Sequence, residues 1–273
     1  MQLATPANLP PLVNCKLGRK PAVAARQSKL LKASKYLNTI ALPPAPPVVS
    51  YQNAVSAWGM LGNDTAGDCV VAGSVHLQMD WAANAGNPPV VVTDAQAIAL
   101  YSQLTGYDPS TGANDTGLVI TDYLDLWRNT GVFGNKISAY VSLHEGDGNT
   151  PQPWNHSILM AAIWLFGGVM SGVNLPKAWE GATTWTAPSR AHRFFQWAPG
   201  SWGGHCVPMV GYDDRYVYVV SWGVVVPVEW AAVDMFFSEG YASIDPLWVS
   251  ATGLAASGFD MPTLTNDLPA VAA

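Results

Sequence analysis

Cysteine is scarce in this chain: Cys15, Cys69 and Cys206 are the only three among 273 residues. An odd, small count provides no disulfide framework and favours a reducing compartment, or at least no dependence on oxidation. Charge is scarce too, at 12% of residues against 49% apolar, so the chain can bury one sizeable core or two lobes around a cleft. Several motifs are missing. There is no Gly-x-x-x-x-Gly-Lys-Ser/Thr loop, no Cys-x-x-Cys pair and no His-Glu-x-x-His, which leaves phosphate binding, structural zinc and zinc hydrolysis without support. No Gly-x-Ser-x-Gly elbow occurs. We therefore expect no cofactor and no metal. The segment Met1 to Pro6 lacks the charged-then-apolar layout of a signal peptide. The longest apolar stretch, Ile158 to Leu175, is interrupted by Gly167, Gly168, Ser171, Gly172 and Asn174 and reads as core, not as a membrane span.

Acidic residues are absent from the first fifty positions, which hold seven of the 13 basic ones: Lys16, Arg19, Lys20, Arg26, Lys29, Lys32 and Lys35. With the whole chain at −6 and residues 1–50 at +7, residues 51–273 carry −13. Such an arm either lies across its own domain, binds an acidic partner or self-associates, or is simply a solvated belt. It has few interleaved aromatics, which argues against nucleic acid. Arg26 to Leu37 is expected as one short helix, followed by a stiff connector through Pro43, Pro44, Pro46 and Pro47.

What is present concentrates in two stretches. In the first, Gly62, Asn63, Asp64, Gly67 and Asp68 precede Cys69, and an apolar run follows to Ala83. This reads as a loop feeding a helix whose first turn carries Cys69. A thiol there lies at the positive end of the helix dipole, which favours thiolate. The plainer reading is a small buried residue at the start of a core helix. In the second stretch, Gly203 to Gly223 reads as two β-strands turning at Asp213-Asp214, with His205 opening the first and Ser221-Trp222-Gly223 closing the second. A hairpin joins its ends, so a side chain near Ser221 is placed to orient the His205 ring. Cys69 and His205 are 136 residues apart, inside the span of about 130–150 that links cysteine and histidine in enzymes of the papain type.

On these residues the chain resembles the papain-like cysteine peptidases from about Trp58 to about Val249, and most of all their divergent phage and bacterial members. The family places Gln, five residues, then Cys at a helix start. Here Asn63 stands six before Cys69, and Gly67 keeps the glycine two before it. His205 begins a strand that continues into Val210-Gly211-Tyr212, and the next strand ends in Ser221-Trp222-Gly223, both as in the family. There are departures. Val220 stands where the family has the Asn that orients the histidine, leaving that task to the Ser221 hydroxyl through a one-residue shift in the hairpin, or to a backbone carbonyl. Val70 replaces the aromatic after the cysteine, and Ala66 replaces a disulfide cysteine.

The resemblance implies an α+β, two-lobe fold. A helical lobe over about 51–135 carries Cys69, and an antiparallel β lobe over about 136–255 carries His205. Residues 1–50 form the arm and connector, and 256–273 a tail. It implies Cys69 as nucleophile toward an amide, His205 as general base and acid, Asn63 with the Cys69 N–H as oxyanion donors, Ser221 as orienting group, and Trp222 as a shield over the histidine. The partner is then a peptide or protein substrate, preferred over anionic cell wall because the body is acidic, and the location is the cytoplasm or a virion, without a membrane. The rival expectation is a catalytically weak or inactive scaffold, a phage or assembly component that docks through its arm. Within the helical lobe, a capped helix starts at Thr93-Asp94 and runs to Leu104, and another covers Leu118 to Asn129 with Gly131 as its stop. His76, two helical turns beyond Cys69, is expected to be structural, and Cys206 to be a packed thiol.

Overall fold

The computed structural model describes residues 15–37, 44–189, 195–251 and 253–258. Pro43, residues 1–14 of the arm and residues 259–273 of the expected tail lie outside this set. The elements are α1 (Ala24–Gln27), α2 (Ala33–Leu37), β1 (Val49–Ser50), α3 (Cys69–Ala85), α4 (Asp94–Thr105), α5 (Ile120–Asn129), β2 (Ala139–Ser142), α6 (His156–Phe166), β3 (Val169–Leu175), β4 (Gly203–Tyr212), β5 (Tyr216–Ser221), β6 (Val224–Glu229), α7 (Trp230–Phe236) and β7 (Phe237–Ile244). This is α+β, with α3 to α5 preceding β2, and α6 and α7 set between strands of an antiparallel sheet.

The sheet has seven strands in the order β2-β7-β3-β4-β5-β6, with β1 pairing with β4. Every described pairing is antiparallel. β4 is its centre, and its apolar residues Val207, Met209 and Val210 are fully buried. α3 packs on β4 through Gly73, where an added Cβ would stand 3.5 Å from Cys206 Sγ. Trp81 on α3 donates to Phe166 O at 2.9 Å and packs on Trp127 of α5 at 5.6 Å between ring centroids. The helices and the sheet are thereby fixed to each other along the length of α3.

Local signals account for both ends of α4. Thr93 caps α4 in a full capping box with Gln96, and Gly106 ends it in the left-handed region at φ 76°. α5 begins at Ile120, two residues later than expected. The arm differs more: in place of one helix over 26–37 there are two short ones. Between them Leu31 O accepts from Ser142 N–H at 2.8 Å and Lys32 bridges Ser142 in parallel. That backbone pairing needs extended geometry, and it prevails in a segment too short to hold a helix by itself.

Candidate active site

Cys69 is the first residue of α3, and His205 is the third of β4. Two backbone N–H groups, that of Cys206, the neighbour of His205, and that of Gly18 in the arm, face the Cys69 thiol and act to lower its pKa. His205 Nε2 lies 2.9 Å from Ser221 Oγ, and its ring stacks on Trp222 at 4.2 Å between centroids and 13° between planes. Nδ1 is buried with no hydrogen-bond partner among the described residues.

The hairpin explains why Ser221 reaches the ring. Tyr212 pairs with Val217 and Gly211 with Tyr218, but Met209 pairs with Val219, so the register shifts by one residue at a bulge around Val210. A slip of one residue exchanges the faces of a strand. Ser221 therefore stands beside the histidine, and Val220 is packed away in the core.

Asn63 is buried, and its Nδ2 donates to Ala66 O at 3.0 Å within its own loop. One of its two amide hydrogens is thus committed locally, contrary to an amide left wholly free for an oxyanion. The expected thiolate is also corrected. Cys69 is 1% exposed, and burial pushes its thiol up to about 12, with the neighbouring Asp68 carboxylate acting the same way against the two N–H groups. The helix dipole is outweighed because nothing aqueous reaches the sulfur. His205, also 1% exposed, is pushed down to about 3 by burial and then by the Arg19 and His76 charges. Both groups are neutral in this closed arrangement.

The cover is the arm, a feature sequence reasoning left open among three possibilities. Lys16 N–H donates to Asn63 O at 3.1 Å, and Lys16 O accepts from the Trp222 indole at 3.1 Å. Gly18 O accepts from Leu118 N–H at 2.8 Å, Lys20 N–H donates to Leu118 O at 2.8 Å, and Arg19 N–H donates to Gly204 O at 3.2 Å. The approach is close enough to require glycine: a Cβ on Gly18 would stand 1.6 Å from Gly67 O. Further along, Arg26 pairs with Asp122 and Asp125, and Lys32 Nζ donates to His144 O at 2.7 Å. The described part of the arm lies across its own domain.

No protein-family model matches the chain, and no curated protein does. Solved structures do. Xylellain, a cysteine protease from Xylella fastidiosa, superposes with a TM-score of 0.57 at 13% identity, over 87% of this chain and 99% of that one. Procathepsin B S9 from Trypanosoma congolense gives 0.56 at 10% identity, over 86% and 88%. The ragweed pollen cysteine protease Amb a 11, in its proform, gives 0.51 at 14%, over 84% and 75%. The fold is papain-like. At these identities the likeness is one of architecture, and a papain-like fold by itself does not decide chemistry.

The other described histidines have partners of their own, and His156 Nε2 lies 3.0 Å from Asp234 Oδ1. His76 Nε2 meets Gly59 O at 3.1 Å, beneath an edge-on contact with Trp58. His144 Nδ1 accepts from Gly146 N–H at 3.2 Å, and His192 lies outside the described residues. Cys206 is a packed thiol against Gly73. Trp202, just before β4, packs on Trp222 at 5.5 Å between ring centroids. Among the described residues no group of three or more His, Cys, Asp or Glu is arranged to hold a metal ion, and no helix is long and apolar enough to cross a membrane.

Proposed function

We propose that this chain is a cysteine peptidase or amidase whose reaction runs through Cys69 and His205. The observation that carries this reading is the histidine: one ring nitrogen is tied to Ser221, the ring face is shielded by Trp222, and the other nitrogen is unpartnered, one residue from the Cys206 N–H that faces the Cys69 thiol. With Nε2–H donated to Ser221, Nδ1 is the free base. It takes the Cys69 proton, the thiolate attacks the amide carbonyl carbon, and Nδ1–H then protonates the departing amine as the C–N bond breaks. Water, deprotonated by Nδ1, releases the acyl group from sulfur. The Cys69 N–H at the start of α3 and the Asn63 side-chain amide are the oxyanion donors in this reading.

A peptide bond in a protein is the preferred target, since an acidic body does not attract anionic cell wall. We place the chain as a phage or bacterial protein of the cytoplasm or a virion, on its resemblance to such members and on three cysteines that form no disulfide among the described residues. The test is labelling with a thiol-directed epoxide after the arm has been dislodged by Gly18→Ala. Labelling at Cys69 that falls at least tenfold in a second His205→Ala substitution supports the pair, and equal labelling overturns it. Hydrolysis of denatured protein and of purified peptidoglycan, with Cys69→Ala as control, then assigns the substrate.

The second reading is an interaction protein on a papain-like scaffold, docking through residues 1–50 to an acidic partner or to itself. The neutral, covered Cys69 and His205 favour it. It predicts binding that weakens with salt and survives Cys69→Ala.

A further inference from the structure

The sharpest feature outside the reacting pair is the seat of Arg19. Its side chain is 3% exposed, and every acceptor around it belongs to the body. Nη1 donates to Glu239 Oε1 at 2.6 Å, to Ser238 Oγ at 3.2 Å and to Gly148 O at 3.4 Å, and Nη2 donates to Asn174 Oδ1 at 2.6 Å. These acceptors come from β3, from β7 and from the loop before α6, three stretches that meet only in the folded protein.

Each acceptor is itself aimed. Asn174 Nδ2 donates to Asn149 O at 2.7 Å, which turns Oδ1 toward the guanidinium. Ser238 Oγ donates to Gly148 O at 2.9 Å, leaving its lone pairs for Nη1. Tyr241 Oη donates to Glu239 Oε2 at 2.5 Å, and Gln27 in turn donates to Tyr241 Oη at 2.5 Å. Gly172 forms part of the wall, where a Cβ would stand 2.5 Å from Nη1. Glu239 is 1% exposed, and burial raises its carboxyl while the Arg19 charge acts against that rise. An ion pair buried this deeply is a weak source of stability compared with apolar packing. It is, by contrast, a strong means of recognising one planar cation, because a forked guanidinium satisfies several fixed acceptors at once.

The position is as telling as the chemistry. Arg19 follows Gly18, whose N–H faces the Cys69 thiol, and its own N–H is held by Gly204 O at 3.2 Å, directly before His205. A Cβ on Gly204 would stand 2.5 Å from Arg19 O, so the wall is cut back for an extended peptide backbone. The arm is held there without being attacked, since at Gly18 it presents an N–H to the sulfur and turns its carbonyl to Leu118.

We propose that the pocket of Glu239, Asn174, Ser238 and Gly148 is a guanidinium-recognition site that selects peptides carrying arginine beside the bond presented to Cys69, with Arg19 as its occupant in cis. The substrate part rests on the peptidase reading above; the pocket itself does not.

The test uses the full chain bearing Arg19→Ala, with Arg19→Met as a second variant that keeps the apolar stem. The probes are Nα-acetyl-arginine methylamide and its neutral isostere Nα-acetyl-citrulline methylamide. In calorimetric titration the arginine probe is expected to bind either variant at least tenfold more tightly than the citrulline probe, and the added substitution Glu239→Gln should abolish that difference. Wild type, with its pocket filled, should bind neither. If a variant unfolds, the same pair is read by recovery of cooperative thermal unfolding, which the arginine probe restores and the citrulline probe does not. Equal effects of the two probes, or a preference that survives Glu239→Gln, overturn the pocket. Turnover by Cys69 without a preference for arginine peptides overturns the substrate part of the proposal while leaving the peptidase reading standing. A tenfold binding preference without Cys69 labelling sustains the pocket and defeats the peptidase reading.

Discussion

Ser221 Oγ and His205 Nε2 stand 2.9 Å apart across a hairpin whose register slips at Val210, so a hydroxyl occupies the place beside the ring. Because both groups are about 1% exposed, neither finds water if the other is removed. Ser221→Ala leaves Nε2 buried and unpaired, which typically destabilises by about 1–3 kcal/mol. A denaturant titration is expected to show a loss in that range, and epoxide labelling of Cys69 in the Gly18→Ala background should slow by at least tenfold. Ser221→Thr, which keeps the hydroxyl, should recover most of the labelling rate. Recovery of stability without recovery of labelling would leave Ser221 as packing only.

Gly18 and Gly67 give the second expectation. The backbones meet so closely that a Cβ on Gly18 would stand 1.6 Å from Gly67 O. Backbone cannot retreat as a flexible side chain can, so Gly18→Ala must lift the segment off Cys69. Overpacking of this kind destabilises by about 1–3 kcal/mol. The Cys69 thiol, no longer cut off from water, should titrate well below about 12, the value at which burial holds it. The measurement is the pH dependence of iodoacetamide labelling: the variant is expected to react at least tenfold faster than wild type at pH 8, with its half-maximum at lower pH.

How far the sequence led can be judged at particular residues. Turn formers before Cys69 and the apolar run behind it located the start of α3, and Asp213-Asp214 located the turn of the hairpin, because both signals are local. β6 was not singled out as a strand of its own, and it carries Pro227. The proline is tolerated at the sheet edge, where its carbonyl pairs with Trp185 N–H at 2.9 Å. For the group beside the His205 ring the sequence left two choices, Ser221 by a one-residue shift or a backbone carbonyl, and the bulge around Val210 brings Ser221 Oγ there. Arg19 and Glu239, 220 residues apart, met unseen. A usable hint existed in Glu239 itself, a carboxylate inside the otherwise uncharged run Phe237-Ser238-Glu239-Gly240-Tyr241, because a buried charge calls for a partner and only the arm is rich in cations.

Buried imidazoles make the fold acid-sensitive. Burial holds His76 down at about 4 and His205 at about 3, against an ordinary 6.5. Between those values the unfolded chain binds protons that the folded chain refuses, so this contribution to stability is whole above about 6.5 and is lost as pH falls toward the folded values. His76→Gln, which keeps a donor for Gly59 O, removes one such group. Its stability should therefore fall less than that of wild type between pH 7 and pH 4.5, by about 2 kcal/mol, as read from urea titrations at the two pH values. Identical losses in both proteins would mean that His76 is protonated in the folded state.

Asp68 acts in the opposite direction. It precedes Cys69, it is fully buried, and neither of its oxygens meets a hydrogen-bond partner in good geometry. Burial lifts its carboxyl to about 8 from an ordinary 3.8, with the nearby Asn63 amide acting against the rise. A raised folded value means that its contribution is whole below about 3.8 and is lost as pH climbs through about 8, since the unfolded chain gives up a proton that the folded chain must keep. Asp68→Asn has the same shape and no proton to lose. At pH 5 the two proteins should unfold at similar temperatures, and by pH 9 the variant should be ahead by more than about 3 °C, the shift expected when about 1 kcal/mol is gained in a chain of this size. The substitution also takes away a negative charge that raises the neighbouring thiol. In the Gly18→Ala background, where Cys69 is open to solvent, its labelling profile should therefore move to lower pH when Asp68 becomes Asn. A stability gain that is the same at pH 5 and pH 9 would show that Asp68 is not titrating in the folded protein, and that the charge beside Cys69 is already neutralised by a partner.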